Sequence, residues 1–122
     1  MDEGKVKIVL ANLLKLEDVQ ACLLAVRGAG AITPEKGVKL KDINLWRLIK
    51  DTTDKFFDIA SYFYKYGMDK IYFELGDFVI MLYLIEPTIG ILAVIPSLAN
   101  RGLLEVAVEK AKIDVTKIIG DK

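Results

Sequence analysis

Asp51, Asp54 and Asp58 stand at i, i+3 and i+7 in this 122-residue chain, so one face of a helix would carry all three carboxylates. Such a cluster can hold a divalent cation. Arg47, Lys50 and Lys55 lie within helical reach as ordinary ion-pair partners, and the arrangement reads as a solvated charged face rather than a metal site. Gly28-Ala29-Gly30 has the start of a dinucleotide-binding loop. Thr33, however, occupies the place of the third glycine, and Pro34 follows where a helix should open. A hairpin turn is the simpler reading. No phosphate loop ending in Gly-Lys-Ser/Thr occurs, so the chain is not expected to bind nucleotide by itself.

The one cysteine, Cys22, excludes an intramolecular disulfide and a cysteine-rich zinc site. It lies inside the apolar run from Val19 to Val26 and is expected to be a buried, inert thiol. The chain contains no histidine, which removes the usual general base and the commonest transition-metal ligand. Neither an enzyme nor a cofactor is expected.

The length suits a single domain over residues 1–122. Seventeen basic and seventeen acidic residues cancel and are interspersed, without the clustered cations that nucleic acid requires. The 53% hydrophobic content and mean hydropathy of +0.36 are high for so small a chain and point to surface covered by a partner. The first residues lack the basic start of a secretory signal, and a cytoplasmic location is expected. Phe78 to Pro96 is nearly long enough for a spanning helix, but Glu86-Pro87 interrupts it. Its β-branched and aromatic halves read as two buried strands, so no membrane insertion is expected.

The elements that must position these residues follow from periodicity. A first helix over 3–16 presents Val6, Val9, Leu10, Leu13, Leu14 and Leu16 on one face. Two strands follow, Val19 to Val26 and Ala29 to Thr33, then a charged loop from Glu35 to Lys41. Asp42 or Asn44 caps a long helix reaching Tyr66, which Gly67 ends. That helix has two apolar stripes. Leu45, Leu48, Ile49, Thr52, Phe56, Ile59 and Phe63 form the one expected to cover the sheet. Trp46, Thr53, Phe57, Ala60 and Tyr64 form the second, which either broadens the core-facing side or meets another subunit. Arg47, Lys50, Asp51, Asp54 and Asp58 face water with Ser61 and Lys65. A third strand over 69–75, strands over 78–85 and 89–95, and a last helix capped by Asn100 complete an α+β chain. Its order is α-β-β-α-β-β-β-α, with one five-stranded, mainly antiparallel sheet and helices on both faces.

Several short motifs, in this order and spacing, resemble the roadblock/dynein light chain family, a branch of the profilin-like and longin-like sheets. They are the strand Val19 and Ala21 to Val26, the hairpin Gly28, the helix-ending Gly67, Ile71-Tyr72-Phe73-Glu74, Leu92-Ala93-Val94-Ile95, and Asn100-Arg101-Gly102-Leu103. Arg27 departs from the usual acidic hairpin residue, and Pro34 shortens the second strand. The resemblance implies a homodimer in which third strands, with Ile71, Tyr72 and Phe73, pair edge to edge. The long helices would then lie side by side through Trp46, Thr53, Phe57, Ala60 and Tyr64. It further implies a non-catalytic platform for a Ras-like small GTPase or another signalling protein, with Arg47, Lys50, Asp51, Asp54 and Asp58 as its charged floor. The alternative is a profilin-like or sensor-type domain holding a small ligand between sheet and helix, for which Tyr72, Glu74 and Tyr83 are the best polar candidates.

Overall fold

The computed structural model describes residues 1–34 and 38–120. The charged loop expected over 35–41 therefore lies partly outside the described residues. Helix α1 (Glu3–Leu14) starts at Asp2, whose carboxylate accepts the Lys5 N–H at 3.1 Å. Strands β1 (Ala21–Val26) and β2 (Gly30–Ile32) form a hairpin whose turn needs two left-handed residues, supplied by Gly28 at φ 76° and Gly30 at φ 86°. Asp42, rather than Asn44, caps helix α2 (Ile43–Phe63) by accepting the Leu45 N–H at 3.0 Å. A 3-10 turn, Tyr64–Tyr66, continues the helix until Gly67. Strands β3 (Lys70–Leu75), β4 (Phe78–Glu86) and β5 (Ile89–Pro96) follow, then helix α3 (Arg101–Gly120).

The sheet has the order β2-β1-β5-β4-β3 and every pairing is antiparallel. The long β4–β5 hairpin stands at its centre, which accounts for the apolar content of Phe78 to Pro96 without a membrane. Among the described residues no helix is long and apolar enough to cross one.

Alternation along the strands builds two cores. Cys22, Leu24, Val79, Met81, Tyr83, Ile91, Ala93 and Ile95 pack under α1 and α3. Ala21, Leu23, Ile80, Leu82, Leu84, Leu92 and Val94 pack under α2. Gly90 lies on this second side. A Cβ there would sit 3.0 Å from Leu82 Cδ1 and from the Tyr83 carbonyl, and 3.4 Å from Phe57 Cε1, so its absence lets the α2 aromatic ring settle on the strand.

Candidate functional site

The side of α2 that meets the sheet is the stripe assigned above to a second subunit. Trp46, Thr53, Phe57 and Ala60 are buried against the chain's own strands together with Ile49; Trp46 is 8% exposed and Phe57 not at all. Thr53 satisfies its hydroxyl on the Ile49 carbonyl at 2.8 Å. Tyr64 is half-buried beside them. Trp46, Thr53, Phe57 and Ala60 therefore belong to the core of the subunit, not to the interface expected for them. The stripe expected to cover the sheet is, apart from Ile49, largely left outside: Leu48 is 59% exposed, Ile59 45% and Phe63 51%, with Leu45, Thr52 and Phe56 half-buried. The Phe57 ring takes the inner side where Gly90, lacking a side chain, leaves room for it, and Trp46 is buried on the same side.

The exposed apolar flank runs toward the free edge of the sheet. Phe56 stacks on Phe73 of β3 with ring centroids 4.5 Å apart. Ile71 and Phe73 face α2 and are half-buried, whereas Tyr72 turns to the opposite face. A helix flank and a six-residue edge strand, whose outer side has no strand partner among the described residues, thus form one continuous surface.

The five charged positions are exposed and occupy the other flank of α2, toward the β1–β2 hairpin. Asp58 forms an ion pair with Arg27, and the Gly28 N–H donates to Asp54 at 3.4 Å. These carboxylates therefore clasp the hairpin turn instead of pairing along the helix, a contact between distant parts of the chain that helix spacing could not reveal. It also explains Arg27, the residue that departs from the family pattern. The Lys50 ammonium sits 5.6 Å from the centre of the Trp46 ring. Lys50, Asp51 and Asp54 line an open cleft of about 460 Å³ with Ala31 and Thr33 of the β2 edge. Among the described residues no group of three or more potential metal ligands converges.

The polar groups proposed for a ligand pocket are engaged by other side chains of the protein. The hydroxyls of Tyr72 and Tyr83 lie 2.8 Å apart, the Tyr72 O–H is 2.9 Å from Glu105 on α3, and Glu74 pairs with Arg101 at 3.4 Å. Burial, together with the bond to Tyr72, holds the Tyr83 hydroxyl far above its ordinary pKa, so it stays protonated. Burial likewise pushes the Cys22 thiol up to about 12, and its Sγ lies 3.4 Å from the Leu10 carbonyl. Neither group is placed as a nucleophile.

The five-stranded antiparallel sheet, with α2 alone on one face and α1 with α3 on the other, is the roadblock/LC7 fold. Solved structures similar to the chain include MglB from Myxococcus xanthus, with TM-score 0.79 and 15% identity over 98% of this chain and 90% of that one. The gliding protein MglB from Thermus thermophilus has TM-score 0.72 and 12% identity, covering 98% and 92%. A Roadblock/LC7 domain from Streptomyces avermitilis has TM-score 0.71 and 8% identity, covering 93% and 96%. No protein-family model and no curated protein matches the sequence.

Proposed function

We infer that the chain is a non-catalytic, cytoplasmic regulator that works as a homodimer and presents α2 to a Ras-like small GTPase. The observation that carries this reading is the division of α2 into three sides: a buried face on the sheet, an exposed apolar flank continuous with β3, and an exposed charged flank clasped to the hairpin. The apolar flank with Ile71, Tyr72 and Phe73 is the place for a second copy, since Leu48, Ile59 and Phe63 otherwise stay in water. Arg47, Lys50, Asp51, Asp54 and Asp58 remain outside that contact as a two-fold, mixed-charge floor. A rigid helix loses little freedom on binding, and charges on it steer encounter and select partners. The likeness to MglB structures and the family resemblance of the motifs support a role in signalling of this kind.

The test uses the purified dimer as bait in extract of its native cell. A Ras-like GTPase among the captured proteins, binding again when purified and loaded with GDP or a GTP analogue, is the expected result. Lys50→Glu with Asp51→Lys should abolish that binding while light scattering still reports a dimer. Binding that survives the reversal would move the contact off this flank. The cleft beside β2 favours one other reading, a small polar ligand held between sheet and helix. Native mass spectrometry of freshly purified protein would show it as added mass.

A further inference from the structure

Strand β3 is an outer strand of the sheet, with a partner among the described residues only on its β4 side. The Leu84 N–H donates to the Asp69 carbonyl at 2.7 Å, and bonded and non-bonded pairs alternate along an antiparallel ladder. With Ile71 opposite Leu82, Phe73 opposite Ile80 and Leu75 opposite Phe78, these three residues turn their backbone groups inward to β4. The N–H and C=O groups of Lys70, Tyr72 and Glu74 therefore point outward. The side chains of the same three residues share the α3 face: Tyr72 meets Glu105, Glu74 meets Arg101, and the Lys70 ammonium lies 5.7 Å from the centre of the Tyr83 ring. Ile71 and Phe73 lie on the α2 face.

A second copy pairing antiparallel must set outward groups against outward groups and like faces side by side, so allowed registers differ by steps of two residues. One of them places Tyr72 opposite Tyr72 of the partner subunit. Lys70 then faces Glu74 of the partner subunit, and the reverse pair forms across the axis. On the other face Ile71 meets Phe73 of the partner subunit, beside the apolar flank of α2. A step of two in either direction sets Tyr72 against Glu74 or Lys70 and removes both charge pairs. We propose that the chain pairs with itself through β3 in this single register, with the two-fold axis at Tyr72 and two Lys70–Glu74 pairs selecting it. The proposal rests on the homodimer reading above and adds to it the geometry of the contact.

Charge reversal tests it, because both positions are exposed and the variants should fold. Lys70→Glu places two carboxylates opposite each other at both pairs, and Glu74→Lys places two ammonium groups there. Each variant alone should dimerise about tenfold more weakly than wild type. Mixed together, they restore both attractive pairs, so native mass spectrometry should show a heterodimer with wild-type affinity while circular dichroism reports unchanged folding. A dimeric wild type whose variants do not favour each other in the mixture would overturn the register and leave the homodimer standing. A monomeric wild type would overturn both.

Discussion

Phe56 and Phe73 stack with their ring centroids 4.5 Å apart, tying the exposed flank of α2 to the edge strand β3. A contact at this corner connects the two parts of the surface proposed for a second copy. Movement of the helix against the edge would separate the rings, a stack that contributes about 0.5–1.5 kcal/mol to this relation of helix flank and strand edge.

The reassigned stripes of α2 give opposite expectations for neighbouring residues. Ile59→Asp, on the exposed flank, should leave the fold intact and convert the dimer to monomer, because an unpaired carboxylate in an apolar contact is costly. Phe57→Ala, in the buried stripe, should instead destabilise each subunit by about 3–5 kcal/mol by emptying a core site. Light scattering with urea denaturation separates the two outcomes. A stable Phe57→Ala monomer, or a dimeric Ile59→Asp, would return the interface to the buried stripe.

The order of elements was legible in the sequence because its signals are local. Asp42 and the Gly28–Gly30 turn announce themselves within a few residues, and the period-two runs from Phe78 to Ile95 need little context. The assignment of the two α2 stripes was not legible. Periodicity records how wide the apolar arc is, and Leu48 and Phe57 count alike in it; which of them is covered depends on the strand beneath. The one sequence sign of that strand was Gly90, whose missing side chain makes room for Phe57. The clasp of Arg27 on Asp58 was hidden for the same reason, since its partners lie on different elements.

Gly90→Ala follows directly from that close approach. The added methyl would stand 3.0 Å from the Tyr83 carbonyl, a backbone atom that cannot swing aside, and 3.0 Å from Leu82 Cδ1. Overpacking of this kind costs about 1–3 kcal/mol. The urea midpoint should fall accordingly, while light scattering at low denaturant should match wild type. An unchanged midpoint would mean that β4 and β5 yield more readily than a close-packed core should.

Hydrogen bonding at the edge strand makes a separate prediction. Tyr72→Phe removes the hydroxyl that links Tyr83 to Glu105, leaving the Tyr83 hydroxyl without this partner inside the core. The loss should destabilise the subunit by about 1–3 kcal/mol, read from thermal or urea unfolding. Tyr83→Phe in addition should recover part of that loss, because it removes the stranded group. A double variant weaker by the full sum of the two single changes would contradict a shared network.

Stability should fall on the alkaline side, and Cys22 sets where the fall begins. Burial raises its pKa from 9.0 to about 12 in the folded chain, against a smaller lowering influence of Lys39. The folded state thus holds this proton more tightly than the unfolded state does. Below about pH 9 both states are protonated and the contribution is fully present; between 9 and 12 the unfolded chain releases the proton and the contribution is lost, by about 1.4 kcal/mol per pH unit. Tyr83, also raised by burial, adds a further loss above its ordinary value of 10. Urea midpoints should therefore be level from pH 7 to 9 and decline above it. In Cys22→Ala, whatever the change at neutral pH, the decline should start a unit later, where only tyrosine remains. The thiol should also resist alkylation in the native protein at pH 8 and react fully in urea, since a neutral buried sulfur is a poor nucleophile. Rapid native alkylation, or a wild-type midpoint unchanged at pH 10.5, would show that the thiol is neither sealed in the core nor held protonated there.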